Sequence, residues 1–173
     1  MTVKARQPVR VWIKTDDRIF VLEVCIVSGP MTEDFIKKNK VICRTIEIRG
    51  DQALEDLHKI IFKAFDREDP HMYEFQVGGS GPMDPKAKRY VLPVVMEDSF
   101  GDKKPAGTVS AAIGSLDLKT GDAFGYIFDY GDDWWHQVNV MDIKEKAGRA
   151  KYPKITNRIG ESPPQYADWE ELG

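Results

Sequence analysis

The residues best suited to chemistry are concentrated in one stretch of the sequence, FGYIFDYGDDWWHQVNVMDI at positions 124–143. Its polar members include histidine and aspartate, which proteins use for general acid–base catalysis and for binding zinc, manganese or iron. This concentration marks a candidate site. The residues that we assign to it are Asp129, Asp132, Asp133, Trp134 and His136.

The same stretch predicts the hairpin that positions these side chains. Aromatic residues occupy alternate positions along its first strand, at Phe124, Tyr126, Phe128 and Tyr130. Residues 131–133 are typical of a turn, because glycine tolerates positive φ and aspartate can bond its own backbone. Trp134 and His136 then share one face of the second strand. We expect the aromatic row and Trp134 to be buried against a helix, and Asp132 or Asp133 to accept a hydrogen bond from His136.

The rest of the chain predicts a sheet with one main helix. Apolar runs rich in β-branched and aromatic residues indicate strands at 19–27, 41–48, 72–77 and 90–96. Pro93 marks the last of these as an edge strand or a bulge. The main helix runs from an N-cap at Asp51 to Phe65, and short helical segments are expected at 31–40 and 109–118. This order predicts an α+β fold, a mostly antiparallel sheet with one main helix packed on it, with a β-grasp-like arrangement in its first half.

Size and composition predict one soluble domain spanning residues 1–173. The chain is 42% hydrophobic and 31% charged, typical of a globular protein. We expect an extra N-terminal strand at about 9–13 and an extended segment at about 152–173. No apolar signal core and no run of about 18 apolar residues is present, so we expect a cytoplasmic protein without membrane contact. Cys25 and Cys43 lie in apolar runs and are expected to be reduced core thiols.

The charge pattern disfavours sequence-independent binding of nucleic acid, because the net charge is −3 and binding to the phosphate backbone needs a clustered basic surface. A basic stretch nevertheless lies at 144–158 and is followed by an acidic tail at 161–171. We expect the two to neutralise each other, which leaves nucleic acid as a partner that is not favoured.

Several motifs together resemble a known family, the Ri-plasmid ORF-3-like proteins, some of which have names that refer to transposon resolvases or insertion elements. Residues 128–136, FDYGDDWWH, are similar to the family signature YDFGDDWxH. Leu57-His58 resembles the leucine-histidine pair of the family's helix, and residues 71–75, HMYEF, resemble its HLHEF strand start. Tyr152-Pro153 and Pro163-Pro164 match its later proline motifs. The resemblance extends from about Phe20 to the C-terminus and adds His58, His71 and Glu74 to the candidate site.

The chain departs from the family at a CPPEDC pattern around the double proline. Ser162 and Ala167 stand where many members have cysteine, and Gln165-Tyr166 replaces the Glu-Asp pair. The resemblance therefore implies no thiolate metal site at these positions. A resolvase activity also finds no support, because no nucleophilic serine with an arginine cluster is visible. The family has no established activity, so the resemblance implies a fold and a site and leaves the reaction open.

Three roles remain open for the hairpin: a structural corner locked by a carboxylate–histidine bond, a metal site, or an acid–base pair. No His-x-x-x-His or Cys-x-x-Cys spacing is present, so no cofactor is expected. If a divalent metal is bound, its ligands are Asp132, Asp133 and His136. The favoured function is a non-catalytic interaction or binding module for an unidentified protein or small molecule, with its site beside the acidic hairpin. The alternatives are a metal-dependent hydrolase acting on a phosphate-containing substrate, and a nucleic-acid accessory protein of mobile elements. The sequence leaves the oligomeric state open.

Overall fold

The computed structural model describes residues 15–97 and 103–167. The strand expected at 9–13 lies outside these residues, as do positions 168–173 of the acidic tail. The helices and strands in chain order are β1 Ile19–Ser28, α1 Glu33–Lys38, β2 Cys43–Arg49, α2 Leu54–Ala64, β3 Tyr73–Val77, β4 Lys88–Val91, α3 Pro93–Glu97, β5 Gly107–Thr108, β6 Ala123–Phe128, β7 Trp134–Lys144 and β8 Lys154–Ile159. A 3₁₀ turn at Ile113–Ser115 is the helical structure within 109–118, where a longer helix was expected.

The described strands form one sheet in the order β5-β4-β3-β6-β7-β1-β2-β8. The α+β class is confirmed, and the sheet is mixed, because β4 and β5 pair in parallel while the other neighbours are antiparallel. The hairpin of β6 and β7 lies between β3 and β1. The first half therefore does not form the self-contained β-grasp sheet that its element order suggested.

The longest of the described helices, α2, packs on one face of the sheet. Its apolar stripe is buried, with Leu54, Leu57, Ile61 and Ala64 at most 2% exposed. The core side chains of the facing strands alternate along each strand, so one face of the sheet is apolar and the other is largely polar. The helix begins after Ala53, whose N–H donates to Asp56 Oδ2 at 2.9 Å. The expected N-cap, Asp51, pairs with Arg49 instead.

Two segments differ from their sequence patterns for simple reasons. Pro93 opens the short helix α3 and does not lie inside a strand, because proline fits the first turn of a helix, where no N–H partner is needed. The strand β8 lies in the basic stretch, where no strand was predicted, and it pairs with β2 at the edge of the described sheet. Its sequence, KITNRI, is mostly polar because most of its side chains are exposed.

Cys25 and Cys43 form a disulfide, and the expectation of reduced core thiols is wrong for this structure. They face each other across β1 and β2, on the sheet face opposite α2. Alternation explains the error, because their strand neighbours Val24 and Arg44 point toward the helix and are buried.

No helix within the described ranges is both long enough and apolar enough to cross a bilayer.

Candidate functional site

Asp129 shapes the acidic turn of the hairpin. It directly follows β6 and has a φ of 62°, a conformation that aspartate tolerates better than most residues. Its Oδ1 accepts hydrogen bonds from the N–H groups of Gly131, at 3.0 Å, and Asp132, at 3.3 Å. Asp132 is half-buried and Asp133 is exposed. The side-chain hydrogen bonds that hold the turn are therefore accepted by Asp129.

His136 is fully buried, and its contacts within residues 15–97 and 103–167 include no carboxylate. Its Nδ1 donates to the backbone oxygen of Tyr126 at 3.3 Å, and its Nε2 lies 3.3 Å from Nη2 of Arg67. Because the guanidinium can only donate, Nε2 accepts, and these contacts specify a neutral imidazole. Burial, helped by the charge of Arg67, lowers the pKa of His136 to about 3. The expected bond from His136 to Asp132 or Asp133 is absent from these contacts.

Arg67 is the functional-site residue that sequence reasoning missed. It is only 8% exposed, and its guanidinium carbon lies 4.7 Å from the ring centre of Phe128 and 4.4 Å from that of Trp134. Such contacts stabilise a cation against the faces of aromatic rings. Burial lowers the pKa of Arg67 to about 10. Neither its Nη1 nor Nε1 of Trp134 has a hydrogen-bond partner among the described residues.

His58 reaches the same cluster from α2. Its Nδ1 lies 2.8 Å from the hydroxyl of Tyr126, and its ring stacks on Tyr73 with centres 3.5 Å apart. Burial, reinforced by the positive charges of Lys59 and Arg67, lowers the pKa of His58 to about 4. Burial also raises the pKa of Tyr126. The half-buried His58 and the buried His136 thus both pack as neutral rings against Tyr126.

His71 lies on the solvent side of the cluster, with a side chain that is 35% exposed. Its Nε2 lies 3.4 Å from Oδ2 of Asp129 and 3.0 Å from the hydroxyl of Tyr166. Tyr166 is in the proline-rich segment that follows β8. The turn, the start of β3 and this segment therefore meet at His71.

Glu74 does not join these residues, because it points to the opposite face of the sheet. It binds Arg89 at 2.7 Å and accepts a hydrogen bond from the Tyr130 hydroxyl at 3.3 Å. Tyr130 was expected to be buried with the aromatic row, but it is 40% exposed. The positive φ of Asp129 ends the strand alternation before Tyr130. Phe124, Tyr126, Phe128 and Trp134 are buried as expected.

An acidic groove of about 400 Å³ runs beside the hairpin corner. The side-chain amide of Gln165 ties its two walls together: Oε1 accepts from the N–H groups of Glu68 and Asp69 at 2.9 and 3.0 Å, and Nε2 donates to the Asp69 carbonyl at 2.8 Å. The carboxylates of Asp69, Asp129 and Asp132 raise the pKa of Tyr166, and the hydrogen bond to Asp69 contributes most. The lining residues are Asp66, Glu68, Asp69, Ser162, Pro163, Pro164, Gln165 and Tyr166.

A basic groove of about 780 Å³ lies at the edge of the sheet, between α2 and β8. Lys154 in this groove pairs with Glu47 at 3.1 Å, and Arg158 lies 3.7 Å from Asp66. The other two cations, Lys63 and Lys151, have no ion-pair partner among the described residues. The lining cations are Lys63, Lys151, Lys154 and Arg158.

The family model for the "Plasmid pRiA4b ORF-3-like protein" matches residues 34–168. The chain belongs to this family. The resemblance of the hairpin and proline motifs is thereby confirmed, and the matched range contains all eight candidate site residues.

Relatives of this ORF-3-like protein support the fold. The uncharacterised protein y4hQ of Sinorhizobium fredii (strain NBRC 101917 / NGR234) is 21% identical over 140 residues, which cover 81% of this chain and 65% of that protein. The chain thus spans just under two thirds of that relative. The crystal structure of MM3350, a protein of unknown function from Methanosarcina mazei Go1, superposes with a TM-score of 0.62. It is 21% identical, and the match covers 83% of this chain and 71% of that one.

In this ORF-3-like protein the candidate residues fall into three groups. Arg67 links Trp134 and His136 in the interior, and Tyr126 connects His136 to His58. His71 and Asp129 lie at the hairpin corner, while Asp132 and Asp133 lie on the turn beyond it. Glu74 lies on the far face of the sheet.

The three metal ligands suggested by the sequence, Asp132, Asp133 and His136, are not brought together. Within the described ranges, the set of three potential ligand atoms close enough to share an ion is Glu23, Cys25 and Cys43. That set lies on the sheet face opposite α2, away from the hairpin turn.

Proposed function

We propose that this ORF-3-like protein is a non-catalytic binding module whose site is the acidic groove beside the hairpin. The observation that carries the proposal is that the side chains best suited to catalysis are held in internal contacts. His136 is a buried neutral ring, His58 is a half-buried ring whose pKa is lowered to about 4, and Arg67 is enclosed by Phe128 and Trp134. General acid–base catalysis needs a group that can exchange protons with a bound substrate, and these groups are occupied by internal packing. The metal-dependent hydrolase alternative lacks support because its proposed ligands lie apart.

The chemistry of the groove favours a cationic partner segment. Glu68 and Asp69 are both exposed, and both lie in one wall of the groove. Tyr166 is 53% exposed and offers a ring to a guanidinium or ammonium group. The groove is preformed because Gln165 fixes its walls, which lowers the entropy cost of binding. A lysine- or arginine-rich peptide in an extended conformation fits these features.

The proposal is tested by titrating the protein with a short lysine–arginine peptide in a calorimeter at low and at physiological salt. The double variant Glu68→Gln, Asp69→Asn should weaken binding by about threefold to tenfold, because each rim charge contributes roughly 0.2–1 kcal/mol. The matched control is Glu33→Gln, Asp34→Asn on the exposed helix α1, which removes the same charge away from the groove. Equal weakening by both variants, or absence of binding at low salt, would contradict the acidic groove as a site.

A second candidate function, nucleic-acid binding, is favoured by the basic groove. Lys63 and Lys151, which have no ion-pair partner among the described residues, line the groove beside β8, the outermost strand of the described sheet, where a phosphate backbone could follow the strand. The net charge of −3 opposes binding at longer range, so we expect weak affinity that falls steeply with salt. Titration of a single-stranded oligonucleotide into wild type and into Lys63→Gln, Lys151→Gln tests it. Lys38→Gln, Lys119→Gln is the charge-matched control, and equal affinity in the two double variants would exclude the groove.

A further inference from the structure

The polar face of the sheet carries a cluster of metal-ligand types away from both grooves. Cys25 of β1 and Cys43 of β2 are direct Cα partners, 4.1 Å apart. The hydrogen bond from Ile26 N–H to the Ile42 carbonyl places them in the neighbouring non-hydrogen-bonded position, where cross-strand side chains are closest. Glu23 is two residues before Cys25 and therefore points to the same face. The ligand atoms of Glu23 and the two cysteines lie within 4.8 Å of one another.

The carboxylate of Glu23 is oriented by neighbouring amides. Nδ2 of Asn139, the Cα partner of Glu23 on β7, donates to its Oε1 at 3.3 Å. Nε2 of Gln137 donates to Oδ1 of Asn139 at 2.8 Å and fixes that amide in turn. Such outer contacts orient the ligands of metal sites and raise their affinity. No described contact engages Oε2 of Glu23, and that oxygen is left for an ion.

Two thiolates and a carboxylate form a donor set that suits zinc. Zinc takes sulfur ligands at about 2.3 Å and oxygen ligands at about 2.0–2.2 Å in a tetrahedron, and borderline-soft ions prefer thiolate. Two sulfur atoms bound to one zinc ion are then about 3.8 Å apart, from the same bond lengths. Cross-strand partners hold their Cβ atoms about 4.5–5.5 Å apart, so the strands need not separate to accept the ion. Glu23 and Cys25 are only half-buried, which leaves the fourth position open to water.

We propose that the reduced protein binds one zinc ion through Sγ of Cys25, Sγ of Cys43 and the carboxylate of Glu23, and that the disulfide excludes the ion. A dithiol reductant supplies two electrons and two protons to break the sulfur–sulfur bond, and is itself oxidised to a disulfide. Both thiols then lose their protons as the sulfur atoms bind zinc. Cys25 and Cys43 thereby have two mutually exclusive states, one joined by the disulfide and one bound to zinc. This site is independent of the proposed peptide groove.

The test compares the full chain in its disulfide form with the same chain reduced by a phosphine and freed of metal. Cobalt(II) is the spectroscopic probe, because thiolate ligands give a charge-transfer band, and zinc is then added to displace it. We expect one equivalent of cobalt in the reduced chain with two protons released, and none in the disulfide form. Reduced chain that binds no cobalt, or disulfide chain that binds it equally, would overturn the proposal, and neither measurement requires a variant.

Variants then assign the ligands. Cys43→Ser should abolish the charge-transfer band of a two-thiolate site, and Glu23→Gln should weaken zinc binding by at least about tenfold. Glu33→Gln, an exposed carboxylate on α1, is the matched control and should leave the affinity unchanged. Far-ultraviolet circular dichroism confirms that each variant is folded. Equal weakening by Glu33→Gln, or unchanged affinity in Glu23→Gln, would remove Glu23 from the site.

Discussion

The guanidinium carbon of Arg67 lies 4.4 Å from the ring centre of Trp134, in a protein interior where no carboxylate forms an ion pair with it among the described residues. Phe128 contributes a second ring at 4.7 Å, and His136 accepts from Nη2. A buried cation is costly unless it is compensated. Two aromatic faces and a neutral imidazole provide that compensation here. The aromatic and histidine residues of the hairpin motif therefore stabilise a buried charge.

Removing the indole should therefore destabilise the protein strongly. Trp134 is fully buried, so Trp134→Ala should lower the free energy of unfolding by about 3–5 kcal/mol in a denaturant titration. The control is Trp135→Ala, since Trp135 points to the opposite face and is half-buried. Its loss should be below about 1.5 kcal/mol. Similar losses at the two positions would contradict the packing described.

Gly29 should tolerate no side chain while Trp134 is present. A Cβ at Gly29 would overlap the six-membered ring of the Trp134 indole. Gly29→Ala should cost about 1–3 kcal/mol, as overpacked sites do. Gly148→Ala, whose Cβ would meet only the Tyr152 hydroxyl at 3.6 Å, is the control. In a Trp134→Ala background the cost at Gly29 should nearly vanish, and an unchanged cost there would show that the backbone of Gly29, and not the indole, sets the limit.

The lowered pKa values of His58 and His136 should make the protein sensitive to acid. The pKa of His58 is about 4 and that of His136 about 3 in the folded state, against about 6.5 in an unfolded chain. The unfolded chain thus binds more protons as the pH falls below about 6.5, and stability is lost on the way toward pH 4 and then 3. Each histidine contributes at most about 1.4 kcal/mol per pH unit.

The variant His136→Gln should flatten this dependence, measured as the midpoint of urea unfolding between pH 7 and pH 4. His71→Gln, which removes a histidine in contact with solvent, controls for the loss of an imidazole as such. A slope that is unchanged in His136→Gln would show that this imidazole is not neutral in the folded protein.

The hairpin and α2 could be predicted because their patterns are local. Alternating aromatics define β6, and the spacing of Leu54, Leu57 and Ile61 defines the buried stripe of α2. The strand β8 could not be predicted in this way, because most of an edge strand in a polar segment is exposed and shows no apolar alternation. At Pro93 a strand was predicted where a helix begins, because proline is compatible with both an edge strand and the start of a helix.

The interior of the site could be predicted only in part. His58 and His136 lie where the motifs suggested, but Arg67 is part of the charged run 66–69, DRED, which is typical of a surface loop. Its burial depends on the hairpin folding over the end of α2, a contact between residues 67 positions apart, as with Trp134. Local patterns carry no information about such a contact.

Asp129 should be the carboxylate on which the turn depends. Asp129→Ala removes the acceptor of two backbone N–H groups and leaves alanine at positive φ, so a loss of about 1–2 kcal/mol is expected. Asp133→Ala is the control, because Asp133 also has positive φ but has no side-chain hydrogen bond among the described contacts. Asp129→Asn keeps an oxygen acceptor and should cost less than about 0.5 kcal/mol. Thermal unfolding of the three variants checks this order, and equal losses for the two alanine variants would refute the capping role.

Because β8 is the outermost strand of the described sheet, it affects whether copies of this protein aggregate. An edge strand with unpaired amide and carbonyl groups is a template for the same strand of a second molecule, and such pairing leads to aggregation. Lys154 and Arg158 lie on this edge, with Lys63 and Lys151 beside it, so two such edges repel each other on approach. At 0.1 M salt this repulsion is largely screened at separations beyond about 10 Å. The same cations that line the groove thus act as gatekeepers, and we expect colloidal stability to decrease as the ionic strength rises.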